Sequence, residues 1–193
     1  MKEKTHKQAW YIINGITLYR IVTAPFLLIL LFTGHIDMFK WLLGVSFFTD
    51  LIDGFLARKF KVTSILGARL DSTGDDLTVL VAIIGLFVTK ASFIKQEKIT
   101  FIIIFSLFLI QVSYALIRYK RMTIFHTYLA KAAALLQGIF LLLVFFTEKP
   151  IMILFYAAAI VTILELIEEI ILVSMLPRWQ ANVKGVYWVM RKK

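Results

Sequence analysis

The sequence predicts an all-α integral membrane protein with six transmembrane helices. Of its 193 residues, 60% are hydrophobic, and the mean hydropathy is +0.84. The apolar residues gather in continuous blocks of roughly 20 residues, the length that a helix needs to cross ~30 Å of hydrocarbon. Because the blocks do not alternate apolar with polar residues, helices are the expected spans.

Short polar or basic separators divide the apolar blocks, which cover about residues 16–34, 38–57, 65–88, 99–117, 128–147 and 151–176. Residues 2–13 combine lysines with Trp10 and Tyr11, which predicts an amphipathic helix lying in the headgroup layer. The tail combines basic residues with Trp179 and Trp188, and it either lies in the same layer or anchors a helix end. We therefore expect one domain over residues 1–193: an interfacial helix (2–13), a six-helix bundle (14–176) and a basic aromatic tail (177–193).

The charge pattern predicts the orientation in the membrane. The net charge is +10, but the basic residues lie at the ends of apolar blocks, which favours anionic lipid headgroups over nucleic acid as partner. Fourteen Lys and Arg residues fall on the side that carries both termini and five on the other side. Both termini are therefore expected in the cytoplasm, with the protein multi-pass in the inner (cytoplasmic) membrane. No cleavable signal peptide is apparent, so the first block should remain as a span.

Five of the twelve acidic residues fall inside the second and third blocks, where a charge is costly. These are Asp50, Asp53, Asp71, Asp75 and Asp76. Spacings of three and four place Asp50 with Asp53, and Asp71 with Asp75, on one helix face. The short separator makes the two helices antiparallel neighbours, which would bring four carboxylates together roughly 10 Å inside the cytoplasmic edge. Such a cluster requires protons or cations, and oxygen ligands alone suit Mg²⁺, Mn²⁺ or Ca²⁺.

These residues form one motif, Asp50-x2-Asp53-Gly54-x2-Ala57-Arg58-x8-Gly67-x3-Asp71-x3-Asp75. The motif resembles the signature of the CDP-alcohol phosphotransferase family. Upstream, Asn14-x2-Thr17-x2-Arg20 followed by Pro25 resembles the stretch that often opens the first span in these enzymes. The resemblance covers residues 14–75 closely and the six-span layout thereafter.

The resemblance implies a transferase of phospholipid biosynthesis that moves a phosphatidyl group from CDP-diacylglycerol or a related CDP-alcohol to an alcohol, releasing CMP. It implies two divalent cations, Mg²⁺ or Mn²⁺, held by the four aspartates, with Asp75 as the catalytic base. A homodimer is also implied. The residues implied for binding the CDP donor are Asn14, Thr17, Asp50, Gly54, Ala57, Arg58, Gly67 and Asp71.

The acceptor alcohol is less closely defined. Glycerol 3-phosphate leads, because it is the commonest acceptor among the small bacterial-looking members of the family, and the chain broadly resembles the phosphatidylglycerophosphate synthases. Lys131 and Arg118 are the expected acceptor-binding residues. Those synthases often carry a second lysine where this chain has Ala133. The segment Leu70–Thr73 resembles the corresponding segment of family members that use inositol phosphate. Inositol phosphate therefore remains an alternative acceptor, as do serine and an amino alcohol.

Several charged residues keep two interpretations each. Arg20 either extends to the membrane surface or serves the site, and Lys131 either binds an acceptor phosphate or pairs with a carboxylate. Asp76 is either a polar group on the helix surface or a partner of the residues that form the site. Three further acids, which pair with Lys131 or Arg118 or face the cavity, are Glu165, Glu168 and Glu169. A divalent-cation transporter is the alternative from another functional class, although the outer halves of the first four spans carry no acid that would extend its path.

Overall fold

The described part of the chain is all-helical and contains no β-strand, as the sequence predicts. A computed structural model of the protein describes the backbone of residues 2–60, 65–123 and 125–191, and the side chains of residues 15, 18–49, 73–123 and 125–191. The helices in these ranges are α1 (Lys2–Phe32), α2 (Ile36–Phe60), α3 (Ile65–Thr89), α4 (Ala91–Gln96), α5 (Lys98–Tyr119), α6 (Tyr128–Leu143), α7 (Met152–Met175) and α8 (Val186–Met190). Each of the six predicted spans corresponds to one of the helices α1, α2, α3, α5, α6 and α7.

The beginning of α1 differs from the sequence-based expectation. The helix runs unbroken from Lys2 to Phe32, so residues 2–13 do not form a separate helix before the first span. Asn14 and Gly15 cost only about 1 kcal/mol or less each inside a helix, which is too little to end one. The helix ends before Gly34, whose φ of +81° lies in the left-handed region that glycine adopts readily. His35 N donates to the Leu30 carbonyl at 2.9 Å.

The chain divides into two compact units, a division that the sequence does not predict. The first comprises Met1–Ala91 with Val144–Glu148, and the second comprises Ser92–Leu143 with Lys149–Lys193. In the first unit α1 packs against both α2 and α3. The buried positions of α1 include Arg20, Ala24, Leu27 and Leu31, and these spacings of three and four place one face of α1 against its neighbours.

The second unit is organised around α7, which packs against α5, α6 and α8. Phe155 of α7 lies in an aromatic cluster, with its ring centroid 4.9 Å from that of Phe93 and 5.5 Å from that of Phe140. Towards the other end of α7, Leu172 and Val173 are fully buried, in a cluster that also contains Phe125 and Val183. The tail is therefore packed into the core of the second unit at Val183, which is 8% exposed.

One helix in the described part of the chain, Lys98–Tyr119, is long and apolar enough by length and composition to cross a bilayer. Only 11% of its apolar window is buried, which is unlike the core helix of a soluble protein. Leu18–Phe32 and Tyr128–Leu143 are apolar but shorter. The helical positions of the predicted spans are thus confirmed, while the crossing of a bilayer by all six remains a prediction.

Gly85 permits the close approach of aromatic rings in the first unit. A Cβ at this position would lie 2.6 Å from Phe39 Cζ and 3.1 Å from Phe145 Cζ, and the Phe39 ring is 0% exposed. We expect Gly85→Ala to lower the unfolding free energy by about 1–3 kcal/mol, because overpacking outweighs the ~1 kcal/mol gain in helix propensity. Thermal unfolding in detergent measures this. Gly138→Ala is the control, since a Cβ at Gly138 would meet no described atom within 4 Å beyond the adjoining backbone of its own helix. Equal melting temperatures for the two variants would contradict the expectation.

Candidate active site

The aspartate motif lies near the linked ends of α2 and α3. Asp50 and Asp53 lie ten and seven residues before α2 ends, and Asp71 and Asp75 lie six and ten residues after α3 begins. At ~1.5 Å per residue, Asp50 and Asp75 are each about 15 Å along their helix from the link, and Asp53 and Asp71 are each about 10 Å from it. The helices α2 and α3 contact each other, and both contact α1. The backbone is therefore consistent with four aspartates at similar distances from the link, as a four-carboxylate site requires.

Most of the predicted site side chains lie outside the described ones. These are Asn14, Thr17, Asp50, Asp53, Gly54, Ala57, Arg58, Gly67 and Asp71. Among the side chains that are described, no three acids or histidines lie close enough together to hold a metal ion. The metal site therefore stays a prediction, and its donor chemistry, carboxylate oxygens alone, fits hard divalent cations.

Asp75 is the motif aspartate whose side chain the structure describes, and it pairs with Arg20. Arg20 Nη1 of α1 donates to Asp75 Oδ1 of α3. The Arg20 side chain is 0% exposed, whereas 42% of the Asp75 side chain is exposed. The structure thus places Arg20 inside the first unit rather than at the membrane surface, and the Asp75 side chain that it holds is partly exposed.

The neighbours of Asp75 on α3 differ sharply in environment. Gly74 is buried, and a Cβ there would lie 3.5 Å from Arg20 Nε, so the glycine packs directly against the arginine. Thr78 Oγ1 donates back to the Gly74 carbonyl at 2.8 Å. Asp76 is exposed, one residue away from the face that meets Arg20. This exposure favours the interpretation of Asp76 as a surface group.

Lys131 lies in the first turn of α6, in the second unit. Thr127 precedes this helix, and its Oγ1 accepts from Ala130 N at 3.0 Å, so the helix has a capped N-terminus. Lys131 Nζ lies 5.6 Å from the centroid of the Tyr128 ring, and its side chain is exposed. An exposed ammonium beside a helix N-terminus is a favourable setting for a phosphate.

Arg118 has a structural contact that the sequence did not predict. Its Nη2 donates to the Ser174 and Leu176 carbonyls at 3.3 Å each. Tyr119 Oη also donates to the Leu176 carbonyl, at 2.8 Å. Arg118 therefore satisfies carbonyls that the end of α7 leaves without helical partners.

Two of the three glutamates of α7, Glu168 and Glu169, accept hydrogen bonds from neutral donors. Glu169 is 9% exposed, and its Oε2 accepts from Gln111 Nε2 at 2.6 Å and from Thr123 Oγ1 at 2.9 Å. Glu168 Oε1 accepts from Val186 N at 3.0 Å. Within the described residues, neither glutamate pairs with Lys131 or Arg118, which was one of the two interpretations that the sequence left open. Gln111, an amide within an apolar span, is the signal that could have identified this network.

A family model of CDP-alcohol phosphatidyltransferases matches residues 10–167, a range that includes the complete aspartate motif and Lys131. The chain is 41% identical over 66 residues to a CDP-diacylglycerol–inositol 3-phosphatidyltransferase of Saccharomyces cerevisiae, which covers 34% of this chain and 30% of the yeast protein. No solved structure matches the chain.

Bacterial relatives have a different acceptor in their names. The chain is 34% identical over 73 residues to a CDP-diacylglycerol–glycerol-3-phosphate 3-phosphatidyltransferase of Haemophilus influenzae, which covers 36% of this chain and 39% of that protein. A protein of the same name from Sodalis glossinidius is 34% identical over 76 residues, 36% of this chain and 40% of the relative. The matched segment thus spans 30–40% of the length of these three relatives.

Proposed function

The chain belongs to the CDP-alcohol phosphatidyltransferase family, and from this premise we propose that it transfers a phosphatidyl group from CDP-diacylglycerol to a small alcohol, releasing CMP. The observation that carries the proposal is the complete aspartate motif within the family match, on two helices that contact each other. The reaction is a step of phospholipid biosynthesis. Its donor is half lipid and half nucleotide, which suits a polar site between apolar helices.

Four aspartates would hold the metal ions, namely Asp50, Asp53, Asp71 and Asp75. Their matched depths along α2 and α3 and their all-oxygen chemistry support a pair of Mg²⁺ or Mn²⁺ ions. When bound, such a pair would neutralise the diphosphate and stabilise the entering and leaving oxygens of an in-line displacement. The exposed part of the Asp75 carboxylate is consistent with access from the site.

Asp75 is the proposed general base. Its carboxylate takes the proton of the acceptor hydroxyl, and the acceptor oxygen forms a bond to the phosphorus that bears the diacylglycerol. The bond from that phosphorus to the CMP oxygen breaks, and CMP leaves with the electron pair. No covalent enzyme intermediate is needed, because positioning and charge neutralisation supply most of the catalysis in phosphoryl transfer.

The donor would be held by the remaining motif residues. Arg58, two residues before the end of α2, is suited to bind the diphosphate, because a guanidinium matches phosphate oxygens in pairs. Glycines leave room for the nucleotide to approach the backbone. The other proposed donor-binding residues are Asn14, Thr17, Gly54, Ala57 and Gly67.

We propose that α1, α2, α3, α5, α6 and α7 all span the membrane, with both termini in the cytoplasm. Large apolar side chains that are more than half exposed support this proposal, including Phe32 of α1, Trp41 of α2, Phe87 of α3 and Ile153 of α7. The charges in α7 do not argue against a span, because Glu169 is buried and hydrogen-bonded within the second unit. A homodimer is proposed from the family resemblance.

Glycerol 3-phosphate is the proposed acceptor, with inositol phosphate as the first alternative. Lys131 at the capped start of α6 supports an acceptor that carries a phosphate. Arg118 is engaged with the end of α7, so Lys131 is the stronger candidate for that contact. The names of the bacterial and yeast relatives include glycerol 3-phosphate and inositol, respectively.

Release of CMP tests the proposed function. Purified protein in detergent receives CDP-diacylglycerol, Mg²⁺ or Mn²⁺, and one of glycerol 3-phosphate, inositol phosphate, inositol, serine or ethanolamine. CMP release that depends on one acceptor, with formation of the matching phospholipid, supports the proposal and identifies the acceptor. Silence with every acceptor from folded protein would contradict it. Mn²⁺ flux into proteoliposomes would then favour the transporter.

Lys131→Ala should raise the KM for a phosphorylated acceptor about 10-fold, because a charge-assisted hydrogen bond contributes about 1.5–3 kcal/mol. The KM for CDP-diacylglycerol should change less than about 2-fold. Initial rates at varied acceptor concentration measure both constants. Lys149→Ala is the matched control, since Lys149 is an exposed lysine of the same unit. An unchanged acceptor KM in Lys131→Ala would remove Lys131 from the acceptor site.

A further inference from the structure

Arg20 is a fully buried cation on α1. The residue is 1% exposed, and its side chain is 0% exposed. Removing a guanidinium from water costs several kcal/mol unless a carboxylate compensates it. Among the described residues, its carboxylate partner is Asp75 of α3, to whose Oδ1 Arg20 Nη1 donates. The pair joins the first helix of the unit to the helix that carries the proposed base.

The packing around Arg20 keeps its guanidinium in place. Gly74, the residue before Asp75, would bring a Cβ to 3.5 Å from Arg20 Nε and 3.6 Å from Arg20 Cζ, so the backbone of α3 lies directly against the arginine. Ala24 and Leu27, the next residues on the same face of α1, are 3% and 1% exposed. A side chain enclosed in this way has few alternative rotamers, and its partner carboxylate is correspondingly fixed.

We propose that Arg20 is a positioning residue for the transfer reaction, whose buried guanidinium holds the Asp75 carboxylate where it receives the acceptor proton. This inference rests on the proposed function, since it takes Asp75 as the base. The rigid, planar guanidinium can hold a carboxylate in a defined orientation that the single ammonium of lysine does not impose. Arg20 acts through Asp75 and needs no contact with either substrate.

Steady-state kinetics test the positioning role. Arg20→Gln should lower kcat about 100-fold per folded molecule, the loss expected from a misplacement of about 1 Å, while both KM values stay within about 3-fold of wild type. Arg20→Lys should recover part of the loss, because lysine restores the positive charge but not the planar arrangement of donors in the guanidinium. Lys40→Gln is the matched control, since Lys40 pairs with Asp37 on the exposed surface of α2, and its kcat should equal that of wild type.

A stability cycle tests the ion pair without reference to activity. Melting temperatures in EDTA are compared for wild type, Arg20→Gln, Asp75→Asn and the double variant. Each single variant should lower the melting temperature, and the double variant should lose less than the two losses combined, because residues in one ion pair are energetically coupled. If the losses in melting temperature were additive, Arg20 and Asp75 would not be energetically coupled, and the inferred ion pair would be overturned.

The outcomes separate this inference from the proposed function. An active wild type with an equally active Arg20→Gln variant overturns the inference alone. So does a loss in Arg20→Gln that follows the fraction of folded protein, or one that appears in the KM values. A wild type that releases no CMP with any acceptor overturns the proposed function, and the catalytic part of this inference fails with it.

Discussion

Asp75→Asn should reduce acceptor-dependent CMP release at least 100-fold. Asparagine has nearly the same shape as aspartate, but its amide does not accept the acceptor proton, and a general base typically contributes a factor of about 10²–10⁴. Because a general base acts in the chemical step, the loss should appear in kcat rather than in the KM for CDP-diacylglycerol. Initial rates per folded molecule measure the effect, because the substitution also removes the charge that partners Arg20.

Asp76→Asn is the matched control for this variant. The two aspartates are adjacent on α3, but Asp76 is exposed and lies off the face that meets Arg20. We expect Asp76→Asn to keep CMP release within about 2-fold of wild type, as for a surface substitution. Equal losses in both variants would mean that general negative charge, rather than the position of one carboxylate, supports the reaction, and Asp75 would lose its assignment as the base.

Chelation of divalent cations should lower CMP release to background. A metal pair stabilises the charge of the transition state by several kcal/mol, and each 1.4 kcal/mol is a factor of ten, so the loss should be on the order of 10³-fold. Added Mg²⁺ or Mn²⁺ should restore the rate. Zn²⁺ should do so poorly, because the chain has no cysteine and the proposed ligands are carboxylates. The measurement is CMP release after EDTA treatment and titration with each metal.

Asp53→Asn tests whether the motif is the origin of this dependence. It should require at least ~10-fold more Mn²⁺ for half-maximal rate, because a carboxylate ligand is replaced by a neutral amide. Asp37→Asn is the control, since Asp37 lies on the same helix, in its first turn, and pairs with Lys40. A chelator-resistant rate, or the same metal requirement in Asp53→Asn as in wild type, would exclude the proposed metal site.

The sequence by itself determined most of the helices, and it supplied the motif on which the proposed chemistry rests. The apolar blocks predict α2, α3, α5 and α7 to within a few residues, because helix formation over 20 or more apolar residues is governed by composition and by local breakers such as Gly34. The spacing of the aspartates predicts shared faces for the same reason, since the helical period is fixed. The separate interfacial helix over residues 2–13 was wrong, because Asn14 and Gly15 are too weak to end a helix, and α1 accordingly extends back to Lys2.

Only the tertiary structure decided which partner each polar group meets. The Arg20–Asp75 pair, the bonds of Arg118 to the end of α7 and the Gln111–Glu169 contact join residues that are 55 to 58 positions apart. The period of a helix specifies a face but not the neighbour that this face meets. That choice depends on how the helices rotate and pack, for which small positions such as Gly74 and Gly85 matter as much as the charges themselves.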